Sequence, residues 1–157
     1  MIEVTHLSKR YGAKKAVEDI SFSVPRGQVL GLLGLNGAGK STTMNILAGC
    51  LAPTEGIVTI DGVDITKDAR AAKRKIGYLP EMPPLYMDMK TEDFLAFVYE
   101  LKKLRGNKKK ALADVCEKAG VASVRGRLIK NLSKGYRQRV GLAAAMLGDP
   151  EVLILDE

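Results

Sequence analysis

GLNGAGKST, residues 34 to 42, lies between the apolar run QVLGLLG at 28 to 34 and the helix-forming string STTMNILAGCL at 41 to 51. Gly34, Gly37 and Gly39 permit backbone dihedrals and close approaches that side chains block. Successive N–H groups of the loop, that of Asn36 among them, can therefore turn inward at the positive end of the following helix. Such a nest suits phosphate oxygens. Gly34 followed five positions later by Gly39-Lys40-Ser41 has the spacing that lets Lys40 reach outer phosphates. Ser41 offers Mg²⁺ a hard oxygen ligand, and Thr42 adds a further phosphate contact. The plain alternative is a glycine-rich turn with a surface lysine. A string this specific arises by chance on the order of once in a hundred chains of this length, and the strand before it and helix after it favour the phosphate site.

Working outward, IEVTHL at 2 to 7 and VEDISFSV at 17 to 24 read as an antiparallel lead-in, with Ile20, Phe22 and Val24 alternating with polar neighbours. Pro25 to Gly27 make a turn, and the continuous apolar run at 28 to 34 then reads as a strand buried on both faces of a parallel sheet. Met44, Leu47 and Leu51 give the helix at 41 to 51 its apolar positions. Strands follow at 57 to 61 and 75 to 80. PEMPPLYMD at 80 to 88 is too rich in proline for regular structure. Thr91, Glu92 and Asp93 open a helix whose face carries Phe94, Phe97, Val98 and Leu101. A helix at 108 to 119 gathers Leu112, Val115 and Ala119 and stops at Gly120, and another covers 136 to 148.

The chain closes on the apolar string VLILDE, residues 152 to 157, which sets two carboxylates at the carboxyl edge of a sheet, where open α/β folds bind ligands. This resembles a Walker B strand, which assigns Asp156 to Mg²⁺ and Glu157 to orienting or deprotonating the attacking water.

With 157 residues, 46% of them hydrophobic, one domain burying about 70% of its unfolded surface is the starting expectation. The longest apolar stretch falls far short of the ~20 residues of a membrane span, and MIEVTHLSKR has no signal-peptide core, so a cytosolic location is expected. Cys50 and Cys116 lack paired spacing and read as small core residues. The net charge of +7 gathers in LKKLRGNKKK at 101 to 110 and KRK at 73 to 75. With no Trp and no interleaving of Arg and aromatic residues, no nucleic-acid partner is expected.

NLSKGYRQRVGLAAAML at 131 to 147 separates the P-loop families. It resembles the signature and following helix of the ATP-binding-cassette (ABC) ATPases, with Leu132, Ser133 and Gly135 matching, and Lys134 and Tyr136 standing where the family has glycine and glutamine. GYLPE at 77 to 81 lies at the family's Q-loop, with Glu81 in place of the glutamine. Tyr11 fits the adenine-stacking aromatic ahead of the P-loop.

The resemblance implies an α/β fold: a P-loop NTPase core with a mainly parallel sheet, an N-terminal antiparallel β subdomain and an inserted helical subdomain. In those terms 1 to 90 form the β-rich and P-loop core, 91 to 130 the helical block, and 131 to 157 the signature helix and Walker B strand. The family's D-loop, further strands and switch histidine do not occur up to Glu157. A chain truncated after Walker B is therefore expected, and hydrolysis is assigned to the longer parent, the piece alone being poorly active or inactive.

The resemblance further implies ATP and Mg²⁺ as cofactors, held by Tyr11, Gly34, Asn36, Gly37, Gly39, Lys40, Ser41 and Thr42. The metal falls to Ser41, Asp156 and Glu81, and catalysis to Glu157. It implies a homodimer or paralogue dimer in which Ser133 and Gly135 contact the partner's ATP. It also implies transmembrane permease subunits as partners, a cytoplasmic site peripheral to the inner face of the cell membrane, and an export-type transporter. A non-transport ABC ATPase acting on nucleic acid or the ribosome, a nucleotide kinase and a nucleotide-binding module without turnover are the alternatives.

Overall fold

The computed structural model describes residues Met1 to Asp156, so the expected water-activating Glu157 lies outside the described residues. They form two compact units, Met1 to Ile76 with Asp156, and Gly77 to Leu155.

The first unit is built on an antiparallel sheet in the order β2-β1-β3-β4: β1 (Ile2–Tyr11), β2 (Lys14–Val24), β3 (Glu55–Ile60) and β4 (Val63–Asp64). The antiparallel lead-in is longer than the sequence suggested. Strict alternation along β1 is broken near His6, whose φ of 51° accompanies a register shift between Val4 and Leu7. That bulge lets both Val4 and Leu7 face the core, although they lie three residues apart and a regular strand would point them to opposite faces. Helix α1 (Lys40–Leu47) buries Ile46 and Leu47 and stops earlier than expected. Gly49, at φ 67°, supplies the left-handed residue that ends it, and Leu51 lies beyond the helix. A short α2 (Ala69–Arg74), capped by Asp68, has no counterpart in the sequence reading.

The expected strand at 28 to 34 does not form. Among the described residues no strand pairs with it, and Val29 and Leu33 are 99% and 97% exposed. Strand conformation needs a ladder to satisfy its N–H and C=O groups, and an apolar run cannot supply one by itself. Cys50 is also corrected: it is exposed, while Cys116 is buried as expected, and burial raises its thiol pKa.

The second unit holds all of β5 (Ile76–Leu79) but its first residue, paired with β6 (Val152–Leu155) in a parallel sheet, and three helices. These are α3 (Thr91–Leu101), α4 (Lys108–Lys118) and α5 (Lys134–Met146). Their core includes Phe94, Leu95, Tyr99, Leu112, Val115 and Val140. The buried face of α3 is thus Phe94, Leu95 and Tyr99, whereas Phe97 and Leu101 remain exposed. In the neighbouring segment 80 to 88, irregular as expected, Tyr86 meets Phe94 and Phe97 edge-on at 6.1 and 5.4 Å, giving those rings a second contact outside the helix core. That segment is pinned, since Met87 and Met89 carbonyls accept from the Lys130 and Ile129 amides.

Candidate functional site

Residues 34 to 40 carry the geometry the loop sequence asks for. Gly37 and Gly39 adopt φ of 84° and 86°, a region costly for any other residue. Gly39 is the N-cap of α1 and lies against β2: a Cβ there would come within 2.2 Å of the Ala16 carbonyl oxygen. The turn is closed by Ala38 N–H donating to the Leu35 carbonyl at 3.1 Å. Lys40 folds back over it, Nζ donating to the Gly34 and Leu35 carbonyls at 2.7 and 3.0 Å. An ammonium held against two neutral carbonyls is ready to exchange them for an anion, which binds it more strongly.

In the first turn of the helix, Ser41 Oγ donates to Asp156 Oδ1 at 3.5 Å, and its backbone carbonyl accepts from Asn45 Nδ2 at 2.8 Å. Asp156 directly follows β6 in sequence but belongs by its contacts to the first unit. It is only 9% exposed and, among the described residues, has no basic partner and no side-chain hydrogen bond besides the long one to Ser41. A buried carboxylate without a counter-charge is costly. Two hard oxygens beside a phosphate-type loop are the donor chemistry Mg²⁺ takes, so these residues fit that ion.

The structure therefore brings Gly34, Gly39, Lys40, Ser41 and Asp156 together. Asn36 is exposed on the loop and Thr42 half-buried in α1. Tyr11 stands at the end of β1, half exposed, with Lys9 Nζ 5.4 Å from its ring centroid. The remaining sequence-derived residues belong to the second unit. Ser133 caps α5, its Oγ accepting from the Tyr136 amide at 3.3 Å, and Gly135 lies in the first helical turn with open space where a Cβ would be. Tyr136 packs against the helical core and Arg139 stacks on its ring at 5.7 Å.

Glu81 is exposed, and its backbone carbonyl accepts from Gln138 Nε2 at 2.9 Å. Sequence reasoning passed over Gln138, which ties the Glu81 backbone to α5, and Arg137, whose guanidinium donates to the Ile129 and Lys130 carbonyls at 3.3 and 2.8 Å. Their only signal was the string RQR after the signature. It names no partner, because the partners are backbone carbonyls, seven and eight residues back for Arg137 and 57 residues back for Gln138.

The ABC transporter family model matches residues 17 to 157. The chain is 37% identical over its whole length to the bacitracin transport ATP-binding protein BcrA of Bacillus licheniformis, and covers 51% of that protein. A solved structure of an ATP-binding subunit of an ABC transporter superposes with a TM-score of 0.89 at 32% identity, over all of this chain and 66% of that one. A dimeric bacterial ABC transporter cassette, MJ0796, shares the fold at a TM-score of 0.89 and 24% identity, over all of this chain and 74% of that one. The chain thus spans about half the length of the curated relative. It belongs to the ABC transporter family, whose ATP-binding proteins it matches from end to end.

Proposed function

We propose that this chain is the nucleotide-binding front part of an ATPase subunit that drives a membrane transporter of the export type. The observation that carries the reading is the unit built from residues 34 to 41 and Asp156: a glycine loop with Gly37 and Gly39 at positive φ, an ammonium folded back on its carbonyls, and a buried carboxylate beside a serine hydroxyl. The loop amides and Lys40 hold the phosphates of ATP, and Thr42 adds a hydroxyl. Ser41 and Asp156 hold Mg²⁺, which neutralises charge on the transferring phosphoryl group when bound. Tyr11 offers a half-exposed ring to the adenine. Glu157 is assigned the attacking water.

In the second unit, Ser133 and Gly135 at the start of α5 present a helix N-terminus, a natural anion site, to the nucleotide of a second subunit. ATP then joins two basic subunits, and its hydrolysis releases them. Glu81 is the residue through which a permease senses the site, as third metal ligand or as contact, because Gln138 couples its backbone to α5. The exposed apolar side chains Met82, Tyr86 and Met87, which follow it in the chain, supply the permease surface.

Single cysteines at 82 and 86 in the protein as made in its own cells test the coupling. Crosslinks to an integral membrane subunit that change on adding ATP are expected. Crosslinks confined to soluble proteins would overturn the transporter assignment.

A further inference from the structure

The charge of the second unit concentrates at one corner. Residues 102 to 110 contain Lys102, Lys103, Arg105, Lys108, Lys109 and Lys110 and no acid, six positive charges against a net of +7 for the whole chain. Two of the six are engaged. Lys102 Nζ donates to the Ala144, Ala145 and Leu147 carbonyls at 3.0, 3.2 and 2.8 Å. Lys108 Nζ meets Glu100 Oε1 at 2.8 Å and lies 5.9 Å from the Tyr99 ring centroid, which folds the start of α4 against the end of α3. Lys103, Arg105, Lys109 and Lys110 are exposed and have no anionic partner among the described residues.

The arrangement is unfavourable for the chain by itself. Lys108, Lys109 and Lys110 fill the first turn of α4, with no acid there, at the end of the helix whose dipole already repels cations. Glu100 answers Lys108, and no neutralising charge for Lys109 and Lys110 comes from the described residues. Beside these cations, Phe97 and Leu101 stand four residues apart on one face of α3, 39% and 67% exposed. Cations next to exposed apolar side chains suit the headgroup region of an anionic bilayer, where the charges meet phosphates and the apolar groups enter the interface. Single-stranded nucleic acid would need open aromatic faces, and here Tyr99 is buried and Phe97 is contacted by Tyr86.

We propose that the corner made by the end of α3, residues 102 to 107 and the start of α4 rests on anionic phospholipid headgroups; this rests on reading the chain as part of a transporter subunit.

Vesicle flotation tests it, because aggregated protein sinks while bound protein rises. The chain is floated with vesicles of phosphatidylcholine alone and of phosphatidylcholine mixed with phosphatidylglycerol, at low and high salt. The fourfold variant Lys103→Gln, Arg105→Gln, Lys109→Gln, Lys110→Gln is run beside it, with circular dichroism to check its fold. We expect flotation with the anionic vesicles alone, reversed by salt. The variant should partition at least about 100-fold less, since each surface cation contributes roughly fivefold. Equal flotation of variant and parent, or no flotation of the parent, overturns the proposal. So does salt-sensitive binding of an RNA oligonucleotide, lost in the variant, in a chain that ignores vesicles. ATP binding measured on the same samples separates the readings: a chain that binds ATP but does not float overturns only this proposal, and one that floats without binding ATP overturns only the nucleotide site.

Discussion

Two apolar runs of this chain look alike in sequence and differ in structure. VLIL at 152 to 155 forms β6 beside β5 and buries Val152 and Ile154, whereas QVLGLLG at 28 to 34 pairs with nothing among the described residues and leaves Leu33 97% exposed. Neither run lacks hydrophobicity or strand-forming residues. The difference is the neighbour: β5 satisfies the ladder of β6, and a strand is a property of a pair. An apolar run therefore states that burial is required, and leaves open which segment provides it.

The largest expected effect separates the runs directly. Ile154→Ala, at a position 4% exposed, should cost about 2 to 4 kcal/mol. Urea denaturation followed by circular dichroism reads it, and a cost near zero would mean that β6 is no better packed than residues 28 to 34.

A smaller effect reaches β5 through α5. Gly77 of β5 lies so near α5 that a Cβ would come within 2.3 Å of the Ala145 carbonyl oxygen, and Lys102 fastens that carbonyl and two others. Lys102→Met should cost about 1 to 2 kcal/mol, since hydrogen bonds from a charged donor are worth more than neutral ones but this side chain keeps contact with water. Its pH dependence has a definite sign. Burial holds the Lys102 pKa below its usual 10.5, so the unfolded chain binds this proton more tightly than the folded one. Stability from this group therefore rises as the pH climbs towards 10.5. The gap between parent and Lys102→Met in urea should widen over that range, and a narrowing gap would contradict the burial argument.

The smallest effect on stability belongs to the unpaired run. Leu33→Ala should change the urea midpoint by no more than about 0.5 kcal/mol, as expected of a surface position. Leu33→Lys with Leu35→Lys should reduce self-association by light scattering, because an exposed run of this kind recruits other strands. A destabilisation as large as that of Ile154→Ala would show that the run is buried in solution.

Much of the fold was legible. The phosphate loop, the helix starting after Lys90, Leu112, Val115 and Ala119 on α4, the stop at Gly120 and the strand before Asp156 all follow from local rules of spacing, capping and turn chemistry. What escaped depends on residues distant in sequence. The bulge at His6, the packing of Tyr86 on Phe97, the bonds of Gln138 and Lys102 and the bare run at 28 to 34 each turn on a partner, present or missing, that local pattern does not name. The contact of Ser41 with Asp156, 115 residues apart, lies between these cases: the strings predicted both roles, and the fold supplied the approach.

Calorimetric titration of the chain with ATP and Mg²⁺, beside Lys40→Ala and Asp156→Asn, tests the central claim most directly. The account expects binding by the parent, a loss of at least about tenfold (~1.4 kcal/mol) in Lys40→Ala, and in Asp156→Asn a loss of the gain that Mg²⁺ gives while Mg²⁺-free binding persists. Equal affinity in all three, or no binding by the parent, would contradict it.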